Sequence, residues 1–157
     1  GWLEGDELRQ AFAAASVVAT PAVYPDPFNL MNIEAMAHRR PVVATCYGGA
    51  PEIVRDGETG FVVDPWDVAT FGNRLATLLR DRGLAEAMGE AGRQRVLAHF
   101  TLDCQVRAYL ALYRGQSVPQ HRRADSDGAI APTVRSGRRS GIVGCPPGAA
   151  YGDTLCR

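Results

Sequence analysis

The chain has 157 residues, 46% of them hydrophobic, enough to bury one core but not two. Its 17 basic and 17 acidic side chains cancel, which excludes a global field of the kind that recruits nucleic acid or an anionic membrane. The balance hides an asymmetry, because residues 1–115 hold 11 basic and 14 acidic groups against 6 and 3 in residues 116–157. Each of those basic residues is Arg, spread along the whole chain, which reads as compositional bias and not as phosphate recognition.

Near the start, Asp6 is placed to cap a helix whose apolar side is Leu8, Ala11, Phe12 and Ala15. The β-branched run Val17-Val18-Ala19-Thr20 then reads as a strand, followed by a loop that Pro21, Pro25 and Pro27 keep out of a helix. A second helix is expected to begin between Phe28 and Leu30, with Leu30, Ile33 and Ala37 as its buried face. Pro41-Val42-Val43-Ala44-Thr45 is the next strand, so the stretch is a βαβ unit. In a parallel sheet, ligands bind just beyond the carboxyl ends of the strands, where this loop and helix start lie.

Two carboxylates fall there, Asp26 in the loop and Glu34 inside the helix, with the unpaired N–H groups of the helix's first turn between them. Carboxylates accept from hydroxyls and the amides hold phosphate, a layout suited to a nucleoside diphosphate sugar. The competing reading makes Asp26 a loop or cap residue and Glu34 a solvated helix residue.

Further on, the paired Gly48 and Gly49 allow backbone to approach a ligand or another loop, and Pro51 suits the start of a short helix over Pro51 to Arg55. Asp56-Gly57-Glu58-Thr59-Gly60 reads as a structural turn feeding the strand Phe61-Val62-Val63. Asp64 then caps a helix with Pro65 at its first position, running through Val68, Phe71, Leu75, Leu78 and Leu79 to about Arg80. Another runs from about Arg82 to Ala98, and Thr101 caps a last one with Val106, Leu110 and Tyr113 on its packing side. No two His or Cys fall at metal-ligand spacing, and Cys46, Cys104, Cys145 and Cys156 read as free thiols of a cytosolic protein. From Gln116 the chain turns Gly-, Pro-, Ser- and Arg-rich without period, and residues 116–157 are expected to be a disordered tail beside an ordered domain over 1–115. The Ala-rich run at 11–23, broken by Ser16, Thr20 and Pro21, is too short and weakly apolar to span a bilayer.

The ordered run Glu34-Ala35-Met36-Ala37, Pro41 to Thr45, Gly48-Gly49-Ala50-Pro51-Glu52 and Asp56-Gly57-Glu58-Thr59-Gly60-Phe61 resembles the donor-binding half of the glycosyl transferases group 1. These are retaining, nucleotide-sugar-dependent enzymes built from two Rossmann-like domains, the GT-B plan. The resemblance implies an α/β fold, a partial doubly wound parallel sheet, in a fragment whose missing first strands and acceptor-binding domain would precede Gly1. It implies transfer of a sugar from a nucleotide diphosphate donor to a saccharide or lipid-linked acceptor with retention, without a cofactor or a required metal. Carried over residue by residue, Asp26 and Glu34 are the catalytic carboxylates, with Glu34 on the ribose and Asp26 on the donor sugar. Phe28, Asn29 and Leu30 supply backbone to the sugar or distal phosphate, and Gly48 and Gly49 line the donor pocket. The location implied is cytoplasmic, or peripheral at the membrane in a full-length enzyme, with no integral segment and no nucleic-acid partner; the 157 residues alone are expected to be inactive.

This chain departs from the family in having Asp26 for the first Glu of a Glu-x7-Glu signature, Asn29 for Gly, and Arg39 for a Gly after the helix. Arg39 is expected to cost on the order of 1 kcal/mol if the left-handed geometry is kept. Alternatives are a non-catalytic nucleotide-sugar-binding or structural remnant, and a nucleotide-sugar 2-epimerase on the same two-domain plan.

Overall fold

The structure, a computed structural model, describes residues 1–117. The expectation of a disordered tail falls almost wholly outside them. The elements in order are α1 (Gly5–Ala14), β1 (Val18–Thr20), α2 (Leu30–Ala37), β2 (Val42–Thr45), α3 (Ala50–Ile53), β3 (Gly60–Val63), α4 (Val68–Arg80), α5 (Arg82–His99) and α6 (Leu102–Tyr113). The three strands form a parallel sheet in the order β1-β2-β3, with Val18 beside Val42 and Val43 beside Phe61. This is the α/β architecture and the parallel sheet that the sequence leads one to expect.

β2 is the centre of the fold because every one of its residues is buried. Strand alternation sends Val42 and Ala44 to one side, where they meet Phe12, Ala35, Met36, Ile53 and Val96. Val43 points the other way, to Phe61, Val63, Leu78, Ala85 and Met88. A strand covered on both faces reads as an unbroken apolar run, which is what Val42-Val43-Ala44 is.

α2 docks on α5 through two glycines. A Cβ on Gly89 would stand 2.1 Å from the carbonyl oxygen of Arg39, and one on Gly92 would crowd Met36 at 3.1 Å. Beyond α2, Arg39 takes a φ of 58°, so the left-handed geometry is kept although glycine is absent. The amide of Arg39 donates to Met36 and that of Arg40 to Ala35, both at 2.9 Å, so the turn is a Schellman cap built on an arginine where glycine is usual. The Arg39 side chain pairs with Glu90 at 2.8 Å.

The structure corrects several sequence readings. The buried face of α2 is Asn32, Ala35 and Met36, whereas Leu30 is 63% exposed. A polar residue holds one core position, so the apolar spacing of Leu30, Ile33 and Ala37 marks the flank instead. α4 begins at Val68, with Asp67 as the cap accepting from the Thr70 amide at 2.9 Å; Asp64 makes a separate turn by accepting from the amide of Trp66. No residue of α6 is buried, and Tyr113 is 83% exposed, because no described element covers its apolar side. Cys104 is a free thiol, and Cys46 is disulfide-bonded, which corrects the reading of Cys46 as a free thiol.

Candidate functional site

Loop 21–29 runs from the carboxyl end of β1 to the start of α2 and is tied to the loop that leaves β2. The Gly49 amide donates to the Asp26 carbonyl at 2.9 Å. A Cβ on Gly48 would lie 1.9 Å from that same carbonyl oxygen, and one on Gly49 would lie 2.3 Å from the carbonyl of Pro27. Gly48 also has φ 72°. The close approach foreseen for the paired glycines is therefore one loop against another, and it brings Gly48 and Gly49 together with Asp26, Pro27 and Phe28.

Asp26 sits half-buried at the apex of the loop, and its Oδ1 accepts from the Phe28 amide at 3.2 Å. That local turn uses one lone-pair direction and leaves the other carboxylate oxygen for a ligand. Phe28 packs at 6.2 Å from Phe100, which leaves its ring partly exposed. Asn29 is the residue before α2, in extended conformation, and no side chain caps the helix's first-turn amides. Asp26 thus takes the capping part of its competing reading only toward its own loop.

Glu34 is exposed and its carboxylate meets no partner among the described residues. Its backbone carbonyl accepts from the His38 amide at 3.1 Å and from His38 Nδ1 at 2.8 Å, while the imidazole stacks on Phe12 at 5.3 Å. Glu34 and Asp26 are not in contact with one another; the uncapped turn of α2 lies between them.

Several residues that sequence reading passed over hold this edge together. Thr20 Oγ1 donates to Asn32 Oδ1 at 2.9 Å, and Thr45 Oγ1 donates to the carbonyl of Ala22 at 2.7 Å. Polar residues ending both strands were the available signal. Arg95 of α5 donates from Nε to the Ile53 carbonyl at 2.8 Å and from Nη2 to that of Glu52 at 2.7 Å, satisfying the carbonyl end of α3. Burial, and after it the nearby Arg55 cation, pushes the Arg95 guanidinium below its usual range. Trp66 Nε1 donates to the Tyr47 hydroxyl at 3.1 Å across the carboxyl ends of β2 and β3.

A cleft of about 610 Å³ opens at the opposite end of α2, between His38, Arg39, Arg40, Glu90 and Arg93. It is a seam between helices: Arg93 and Arg40 donate to the carbonyls of Ala37 and Ala13, and Arg39 is paired with Glu90. In open parallel sheets ligands bind beyond the carboxyl ends of the strands, where loop 21–29 lies and this cleft does not. Among the described residues no group of three or more His, Cys, Asp or Glu is placed to hold a metal ion, and no helix is long and apolar enough to cross a membrane.

A parallel sheet with helices on both faces and a tethered loop entering a helix at its carboxyl edge defines a Rossmann-like α/β half-domain. Residues 1–95 match the family described as glycosyl transferases group 1, and the chain belongs to that family. It is 40% identical over 114 residues to the alpha-maltose-1-phosphate synthase of Mycobacterium tuberculosis, an alignment covering 69% of this chain and 29% of the relative. Among solved structures it superposes on sucrose-phosphate synthase from Thermosynechococcus elongatus with a TM-score of 0.68 and 36% identity, over 73% of this chain and 29% of that one. It also superposes on Anabaena HepE in complex with UDP-glucose, with a TM-score of 0.60 and 29% identity, over 68% of this chain and 30% of that one. The chain therefore spans about 29% of the length of the first of these relatives.

Proposed function

We propose that this chain is the donor-nucleotide part of a glycosyltransferase that moves a sugar from a nucleoside diphosphate donor to a hydroxyl of a saccharide or lipid-linked acceptor, with retention of configuration and without a required metal. The observation that carries the reading is an uncapped first turn of α2 flanked by the carboxylates of Asp26 and Glu34, one on a loop pinned to the Gly48-Gly49 turn and the other free on the helix surface. The complex of HepE with UDP-glucose adds support for the donor class.

In this reading the backbone of Phe28, Asn29 and Leu30 faces the distal phosphate or sugar, with the amides of Asn29 and Leu30 as donors where a helix N-terminus favours negative charge and that of Phe28 held by Asp26. Glu34 accepts from the ribose hydroxyls and Asp26 from the hydroxyls of the donor sugar. Gly48 and Gly49 line the pocket by holding the loop to it. As the bond to the anomeric carbon breaks, charge builds on the departing diphosphate. Fixed amides aimed at it stabilise that charge without reorganising.

The test is calorimetric titration of UDP and UDP-glucose into the protein and its Glu34→Gln variant. Losing a charge-assisted bond to the ribose is expected to weaken binding by roughly 1.5–3 kcal/mol, or about 10- to 150-fold. Equal binding by a folded variant would make Glu34 an ordinary surface glutamate and remove the donor-site reading.

A further inference from the structure

We propose that Asn32 and Thr20 form a positioning pair for the donor site, an inference that rests on the donor-site reading above: the bridge between their side chains fixes the first turn of α2, and through it Glu34 and the amides of Phe28 to Leu30. Thr20 is the last residue of β1 and Asn32 lies in the first turn of α2, so their hydrogen bond of 2.9 Å closes loop 21–29 at both ends.

The pair is costly to the fold. Asn32 is fully buried, at 0% exposure, and its Nδ2 finds no acceptor among the described residues. With Oδ1 accepting from Thr20, the amide nitrogen is the end left without a partner. Replacing such a pair by apolar groups of similar shape is neutral or stabilising for folding, so stability does not account for it. Its placement does. The buried polar side chains of the described residues are Thr20, Asn32, Thr45 and Thr59. Three of them lie beneath this one loop, with Thr45 holding Ala22 at 2.7 Å, and only Thr59 serves another turn, accepting from the Arg55 amide at 2.9 Å.

The geometry links the pair to the ligand. Glu34 follows Asn32 by two residues, about 200° around the helix, so a pinned inward Asn32 sets the outward direction of Glu34. The C-terminal part of α2 is held independently by Met36 against Gly92. In the first turn Leu30 and Met31 are exposed, and the apolar contact is that of Ile33, which is only partly buried against the core, so Asn32 is the turn's fully buried residue. Without the bridge, this turn rotates and frays, carrying its amides and Glu34 off the ligand.

The experiment measures UDP-glucose affinity by calorimetry and melting temperature for Asn32→Leu, Thr20→Val, the double variant, Thr20→Ser and Glu34→Gln. Asn32→Leu and Thr20→Val are expected to bind roughly tenfold or more weakly, the size typical of groups that orient a binding side chain. The double variant should melt at the parent's temperature or higher, whereas each single variant leaves a buried polar partner unpaired and should melt lower. The double variant should bind no more weakly than either single one, because both remove the same bridge. Thr20→Ser, which keeps the hydroxyl, should match the parent. Parent-like affinity in Thr20→Val, or a loss of affinity in both Thr20→Val and Thr20→Ser, overturns the pair. If Glu34→Gln weakens binding while Asn32→Leu and Thr20→Val do not, the donor site stands and only this inference fails. If Glu34→Gln binds like the parent, the reading beneath it fails as well.

Discussion

The carbonyl of Asp26 and the α-carbon of Gly48 are packed so closely that no side chain fits between them: a Cβ on Gly48 would stand 1.9 Å from the Asp26 oxygen. With φ at 72°, Gly48 would also be strained as any other residue. The contact makes the β2–α3 turn the floor on which the loop bearing Asp26 rests.

Gly48→Ala should therefore act on stability and ligand binding together. The left-handed backbone costs alanine about 1–2 kcal/mol, and the clash with main chain adds to it because a carbonyl cannot swing aside like a side-chain tip. A melting temperature lower by several degrees is expected, with weaker UDP-glucose binding in the protein that remains folded. An alanine variant as stable as the parent would show that the loop yields without cost.

Gly89→Ala and Arg39→Gly should move stability in opposite directions. Alanine is the better helix former by about 1 kcal/mol, yet its Cβ would meet the Arg39 carbonyl at 2.1 Å, so the steric term wins and the protein loses stability. Arg39→Gly relieves a φ of 58° and forfeits only an ion pair whose side chains are 59% and 47% exposed, which contributes little. Its melting temperature should equal or exceed the parent's, and thermal denaturation of the two variants side by side checks both signs.

Asp26→Glu should leave UDP affinity nearly unchanged while altering discrimination between UDP-sugars, because this carboxylate meets the sugar end of the donor in the proposed site. One Asp26 oxygen already accepts from the Phe28 amide at 3.2 Å, and a longer side chain gives up that turn to reach further. Competition between UDP-glucose and other UDP-hexoses reads the change. An unchanged preference together with a tenfold loss for UDP itself would move Asp26 to the nucleotide end.

The acid limb of stability has two identifiable contributors. Hydrogen bonds from Thr70 hold the Asp67 carboxyl below 3.8, and the hydrogen bond from Gln94, with help from Arg39 and Arg93, holds Glu90 below 4.5. Folded values below the unfolded ones mean that each contribution is complete above the unfolded value and is lost as pH falls through the folded one. The melting temperature should therefore be flat above about pH 5 and decline below it. Asp67→Asn and Glu90→Gln should each make the decline shallower, and with Asp67 exposed and Glu90 half-exposed the change is modest. A melting temperature that rises on acidification in this range would contradict the assignment.

Much of this protein is written locally. β-branched runs bounded by proline and glycine mark β1, β2 and β3, the prolines at 21, 25 and 27 place the start of α2, and Asp81 and Thr101 cap α5 and α6 through the amides of Leu84 and Cys104. The left-handed turn at Arg39 was raised as a condition by the glycine usual there in the resembling family, and the backbone adopts it. These features depend on backbone sterics and on partners a few residues away, which a sequence displays. What the tertiary structure alone decided is which neighbours lie across the fold. Leu30, Ile33 and Ala37 have core spacing, but α2 turns Asn32, Ala35 and Met36 inward because Thr20 supplies a distant partner for Asn32 and Gly89 and Gly92 open a groove on α5. Asp64 before Pro65 reads as the cap from sequence, but the helix starts where the Thr70 amide meets Asp67. The carbonyl end of α3 is closed by Arg95, more than forty residues downstream. Burial and hydrogen-bond satisfaction are properties of surfaces brought together from distant parts of the chain, so periodicity along one segment ranks the candidates and packing selects among them.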